Sequence, residues 1–169
     1  MKKIIFLSTI LVVLTLVSKG FAGYYDSVSL ATGLKFHARS DERINFMARW
    51  QHQIHIINCK PMEFVFSLEP AFLAFDGGQY GGAIGTVFES KFDVGSNVKL
   101  IVSYGAGVLL TTARLVDEAL VFNFTPQGGV GIEYKENVFE VRYWHASNGG
   151  IRDPNGGIDD ILFLVGVGI

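Results

Sequence analysis

The chain has 169 residues, of which 49% are apolar or aromatic, with 14 Phe, 6 Tyr, 20 Gly and a single Cys. A formal net charge of −2 gives no basic surface for a nucleic-acid partner. One cysteine, Cys59, excludes an intramolecular disulfide framework. The fold must be held by a core or by a membrane.

Residues 1–22 read as a secretory signal peptide. Lys2 and Lys3 form a positive start, Ile4 to Val17 is almost wholly apolar, and Gly20-Phe21-Ala22 offers small residues for cleavage after Ala22. The apolar stretch is short for a membrane-spanning helix, which needs about 20 residues. Residues 23–169, about 147 residues, form one domain.

Alternation with a period of two dominates that domain and predicts strands. Val28, Leu30, Thr32, Leu34 and Phe36 share one face, against Ser29, Ala31, Gly33 and Lys35. Ile44, Phe46, Ala48 and Trp50 alternate with Asn45, Met47, Arg49 and Gln51. Further strands are expected over Glu63 to Phe75, Gln79 to Phe92, Asn97 to Leu110, Leu120 to Tyr134, Asn137 to Asn148 and Ile158 to Ile169. Turn residues at Asp76-Gly77-Gly78, Asp93 to Asn97 and Lys135-Glu136-Asn137 separate some of these segments. No segment has a helical period, and no apolar run beyond the signal could span as a helix.

Eight strands behind a signal peptide fit either a soluble lipocalin-like barrel or a transmembrane one. The less apolar faces carry Gly33, Asn45, Arg49, Gln51, Ser67, Glu69, Ser103, Glu140 and Arg142, a small and mutually paired set suited to a filled lumen. Their opposite faces carry Phe, Leu, Val, Ile and Trp, as lipid contact requires. The last strand sets Ile161, Phe163, Val165, Val167 and Ile169 against Leu162, Leu164, Gly166 and Gly168. The expected fold is all-β: an eight-stranded antiparallel transmembrane β-barrel. Its end at Ile169 departs from the aromatic residue that often closes bacterial outer-membrane barrels.

Chemistry concentrates at the end of the seventh strand, in Tyr143-Trp144-His145-Ala146-Ser147-Asn148. Residues two apart on a strand share a face with Cα atoms about 6.5–7 Å apart, within reach of an imidazole and a hydroxyl. A serine hydroxyl needs such a base, and the base needs a group to fix its tautomer. His145 and Ser147 share the apolar face with Phe139, Val141 and Tyr143; Asp159 shares its face with Ile161 and Phe163, whereas Asp160 does not. A hairpin centred near Asp153 would set Asp159 opposite Ser147 and diagonal to His145, about 7–8 Å away. Polar groups facing lipid call for a function, and a membrane-lipid substrate supplies one.

His145-Ala146-Ser147-Asn148 followed by Pro154-Asn155-Gly156-Gly157-Ile158-Asp159 resembles the lipid A 3-O-deacylases, the PagL-like outer-membrane enzymes. Tyr104 to Val108, Phe122-Asn123-Phe124 and Gly128 to Gly131 extend the resemblance more loosely. It implies a Ser-His-acid triad on the outer surface of an eight-stranded barrel in the Gram-negative outer membrane. That triad hydrolyses the ester at the 3-position of lipid A in lipopolysaccharide without a cofactor. Carried over, Ser147 is the nucleophile, His145 the general base and Asp159 the acid, where the best-known members carry Glu. Asn148, Gly150 and Asn155 are the candidate oxyanion donors.

The competing readings are a non-enzymatic structural or adhesion barrel, an esterase acting on another membrane lipid, and a secreted lipocalin-like binder. His52 and His55 lie near Cys59, but their spacing matches no recognised metal motif, and no metal is expected. Asn123-Phe124-Thr125 has the form of a glycosylation acceptor but falls inside a strand. Trp50 and Trp144 fit either an interfacial girdle or lumen packing, with Trp144 of inward parity. The sequence leaves open a monomer or a homodimer.

Overall fold

A computed structural model of the protein describes residues 25–35, 43–113, 115 and 120–169; the expected signal peptide lies outside them. The strands are β1 (Tyr25–Lys35), β2 (Ile44–Cys59), β3 (Met62–Phe75), β4 (Tyr80–Gly95), β5 (Val98–Thr111), β6 (Phe122–Phe124), β7 (Gln127–Tyr134), β8 (Asn137–Ala146) and β9 (Ile158–Gly168). Each consecutive pair from β1 to β5 is antiparallel, β5 pairs in the same sense with β7, β7 with β8 and β8 with β9, and β9 returns to pair with β1, Val28 facing Val167 and Leu34 facing Ile161. The sheet is therefore closed and has no edge strand.

The sixth segment, expected as one strand, is divided at Thr125-Pro126. Pro126 has no N–H to give to a ladder. The register nevertheless runs through the break. Leu109 faces Asn123 and Gly105 faces Gln127, while Gly107 and Thr125 exchange both backbone hydrogen bonds (3.1 and 2.9 Å). On the other side Gln127 faces Trp144 and Phe124 bridges to Ser147. β6 and β7 thus occupy one place in the wall, and the barrel has eight strands.

Burial follows the alternation read from the sequence, turned inside out as lipid contact requires. On β8, Phe139, Val141 and Tyr143 are exposed while Glu140, Arg142 and Trp144 are buried. On β9, Phe163, Val165 and Val167 face out and Leu162 and Leu164 face in. Asn45 departs from expectation. A register irregularity between Ile44 and Phe46 reverses the faces at the start of β2, so Ile44 is fully buried and Asn45 is exposed.

The lumen has two halves. Toward the turns that join β2–β3, β4–β5 and β7–β8 it is polar. Arg142 reaches Glu69 (2.6 Å) and Glu140 (2.7 Å), and Arg49 reaches Glu69 (2.8 Å) and Ser29 (2.8 Å). Lys91 continues the network to Glu133 (2.8 Å) and Gln53 (3.0 Å). Gly129 and Gly131 make room for it: a Cβ there would stand 2.7 and 2.6 Å from the carbonyl oxygens of Val141 and Phe139. Toward the other rim the filling is apolar, with Leu73, Leu109, Trp144, Ile158, Leu162 and Leu164. The rims differ too. Lys60-Pro61, Ser96-Asn97 and Lys135-Glu136 are tight connections at one end, whereas 147–157, between β8 and β9, is a long one at the other.

Glu69 is the carboxylate shared by two buried guanidiniums. Glu69→Ala leaves Arg49 and Arg142 undercompensated, and breaking such a buried pair costs about 3–5 kcal/mol. The expected result is a markedly lower urea midpoint for unfolding in lipid vesicles; an unchanged midpoint would show that the lumen charges do not hold the barrel.

Candidate active site

The long-loop rim is where β8 and β9 bring the polar outward residues together. The outward row of β8 continues past the strand's last residue, because Ser147 N–H donates to Phe124 O (3.1 Å) and Phe124 N–H to Ser147 O (2.7 Å). His145 and Ser147 are both half-buried on the outward side, while Trp144, Ala146 and Asn148 between and beside them are buried inward. His145 N–H donates to Pro126 O (3.1 Å). At one level of the wall stand Asp159, His145 and Pro126; one step nearer the rim stand Ser147 and Phe124.

The hairpin register differs from the expected one. His145, not Ser147, faces Asp159 directly. The turn is centred one residue earlier than supposed, so the carboxylate is a cross-strand neighbour of the imidazole rather than a diagonal one. Directly opposed residues have Cβ atoms about 4.5–5.5 Å apart, which the short Asp side chain can span. His145 Nδ1 lies 2.7 Å from Asp159 Oδ1. With Nδ1–H donated to the carboxylate, the tautomer leaves Nε2 as the acceptor, the form a general base requires. The pair keeps only 26% and 18% of its side-chain surface exposed.

Two further residues shape this pair and were not singled out from the sequence. Tyr143, on the same outward row, donates its hydroxyl to Asp159 Oδ1. Gly157 has φ +73°, and a Cβ there would lie 2.7 Å from His145 Cε1. The ring therefore rests against bare backbone. The signals were present as a tyrosine two residues before the histidine, on its face by parity, and a Gly-Gly pair before the acid, but periodicity reports neither contact.

The loop between the strands is built around Asn148. Its side chain is fully buried; Nδ2 donates to the carbonyls of Arg152 (2.7 Å) and Pro154 (3.1 Å), and Oδ1 accepts from Gly150 N–H (3.0 Å). Asn148 N–H donates to Asn155 Oδ1 (3.0 Å). The expected oxyanion donors of Asn148 and Gly150 are thus committed inside the loop. Asn155 differs. Its Oδ1 is fixed as the acceptor, so Nδ2 of this exposed side chain is turned away from that bond and can donate elsewhere.

Below the dyad, β7, β8 and β9 frame an open groove of about 480 Å³ on the outer wall, lined by Val130, Ile132, Phe139, Val141, Phe163 and Val165. Of the other residues marked in the sequence, Trp144 fills the lumen and Trp50 packs beside His52 on the outer wall (ring centroids 5.8 Å). His52 Nδ1 pairs with Asp26 (2.7 Å), and His55 lies 3.9 Å from Glu63.

Comparison with known proteins gives the fold and the family. The crystal structure of the outer membrane enzyme PagL superposes with a TM-score of 0.71 at 20% identity, covering 85% of this chain and 99% of that one. Neisserial surface protein A matches with a TM-score of 0.51 at 14% identity, over 86% of this chain and 97% of that one. These likenesses establish the outer-membrane barrel fold. No curated protein matches in sequence. The family model described as lipid A 3-O-deacylase (PagL) matches residues 43–168, which span every strand but β1 and include the whole β8–β9 hairpin. The chain belongs to the lipid A 3-O-deacylase (PagL) family.

Proposed function

We propose that the protein is an outer-membrane esterase that removes the 3-O-linked hydroxyacyl chain of lipid A, with Ser147 as nucleophile, His145 as base and Asp159 as the acid that orients it. The observation that carries this reading is the 2.7 Å His145–Asp159 pair on the lipid-facing wall, with Ser147 two residues on along the same face. Barrels of this type have short periplasmic turns and longer extracellular loops. The pair sits at the long-loop rim, at the level of the outer leaflet, so a lipid substrate reaches it sideways from the membrane.

In this mechanism Ser147 Oγ attacks the ester carbonyl as its proton passes to His145 Nε2. Asp159 stabilises the imidazolium through Nδ1–H. The alkoxide of the tetrahedral intermediate accepts from Asn155 Nδ2. Collapse breaks the C–O bond to the sugar, His145 returns its proton to the departing hydroxyl, and water releases the 3-hydroxy fatty acid by the same steps. The apolar groove on β7–β9 suits the acyl chain during this sequence. No step calls for a cofactor.

Mass spectrometry of lipid A incubated with the refolded protein tests the reading. Wild type should remove one 3-hydroxyacyl mass. Ser147→Ala should fold normally and lose turnover by on the order of 10⁴- to 10⁶-fold. Unchanged lipid A beside a correctly folded wild-type barrel would return the chain to a structural role or to another lipid ester.

Two substitutions probe the geometry around the nucleophile. Asn155→Asp keeps the oxygen that accepts Asn148 N–H but replaces the donor end with negative charge; kcat should fall about 100- to 1000-fold. Gly157→Ala puts a methyl where the imidazole lies, and a misplacement of about 1 Å can cost about 100-fold in rate. Steady-state kinetics on purified lipid A, with heat-modifiability on gels as the folding control, reads both. Full activity in either variant removes that residue from the scheme.

A further inference from the structure

The Asp159 carboxylate stands on the outer wall of the barrel, where water cannot compensate its charge as it would at a soluble protein's surface. One oxygen, Oδ1, receives two donors: Nδ1 of His145 and the hydroxyl of Tyr143. A carboxylate oxygen has two lone-pair sites, so both donors can be held at once. They arrive from different directions. His145 lies directly across the β8–β9 pair from Asp159, while Tyr143 lies directly across from Ile161 and reaches Asp159 along the diagonal. Diagonal neighbours are about 7–8 Å apart, a gap that a tyrosine spans and a shorter side chain does not.

We propose that Tyr143 is a positioning residue of this site: its hydroxyl anchors Asp159 Oδ1 so that the short carboxylate stays on the imidazole's Nδ1–H and does not turn away toward the rim. The proposal rests on the triad reading above. It also gives Asp159 a specific dependence. An aspartate has two side-chain torsions and little reach, so holding it in a hydrogen-bonded geometry from one side leaves the other rotamers open. A second donor on the same oxygen closes them. A glutamate at this place would extend one methylene further and meet the imidazole without the tyrosine. The alternative for Tyr143 is a plain interfacial aromatic, held at the headgroup level by its ring. That role needs the ring and is indifferent to which acid stands at position 159.

The test is a pair of comparisons, Tyr143→Phe against wild type and Tyr143→Phe/Asp159→Glu against Asp159→Glu, each in refolded protein. Phenylalanine keeps the ring and its lipid contacts. With lipid A as substrate, Tyr143→Phe should lower kcat about 10-fold, the effect of losing one hydrogen bond to a charged group, with KM within about 2-fold. In the Asp159→Glu background the same change should cost less than about 2-fold, since the longer acid no longer depends on the hydroxyl. Equal losses in both backgrounds, or a loss carried by KM alone, would overturn the proposal and make Tyr143 a substrate or packing contact.

A readout without substrate separates this from the deacylase reading. In protein carrying ¹⁵N-histidine, the Nδ1-bound proton of His145 should give its own downfield resonance, assigned by its absence in His145→Gln. Tyr143→Phe should broaden or remove it, and adding Asp159→Glu should restore it. If wild type leaves lipid A untouched but the resonance behaves this way, the proposed substrate falls and the positioning role stands. A resonance unchanged in Tyr143→Phe, or absent from the wild type, overturns the positioning role whatever the activity.

Discussion

A backbone in hydrocarbon must satisfy every polar group within the protein, because lipid offers no partners. Everything else in this molecule follows from meeting that demand with strands. The sheet must close, which it does where β9 meets β1. Closure with eight strands leaves an interior just wide enough for side chains. The interior must then be filled, here by Arg, Glu and Lys in one half and by Leu and Trp in the other. The wall left facing outward is apolar. Against it the few polar side chains of β8 and β9 stand out as a site.

The apolar half of the lumen lies behind that site. Trp144, between His145 and Tyr143 in sequence, points inward and packs with Leu162 and Leu164 of the neighbouring strand. Asp160, beside Asp159, also points inward, and its carboxylate accepts from Ile44 N–H (2.8 Å). Outward residues of the site therefore alternate with inward residues fixed by packing or by hydrogen bonds. The proposed catalytic geometry, carried on two paired strands, inherits the rigidity of the wall, which loops alone would not give.

Much of this was legible in the sequence because a period of two reports faces directly. The outward set on β8 and β9 and the inward lean of Trp144 and Asp160 follow from parity, and the barrel from eight such strands whose faces divide into apolar and polar. What parity cannot report is register, since a hairpin centred at Asp153 and one centred a residue earlier keep the same faces. That ambiguity moved the acid from opposite Ser147 to opposite His145. The same blindness hid the irregularity at Ile44, which turned Asn45 outward, and the diagonal contact of Tyr143 with Asp159. The loop was beyond periodicity altogether. The resemblance made Asn148 a candidate oxyanion donor, and only its buried position and its bonds show that its amide is the scaffold around which residues 149–155 are wound.

Pro126 adds a consequence of its own. In an antiparallel ladder, opposed residues can exchange two hydrogen bonds, and His145 gives one to Pro126 O. Proline has nothing to give back, so the carbonyl of His145 faces a nitrogen without a proton in the break between β6 and β7, and the wall is one bond short beside the proposed base. Local opening is easiest where the ladder is thinnest. At that level the wall rests on the single bond from His145 to Pro126, with the Phe124–Ser147 bridge on the rim side and the Gln127–Trp144 pair on the other. The level that carries the proposed base is thus the one at which a proline takes the place of a donor in the wall beside it.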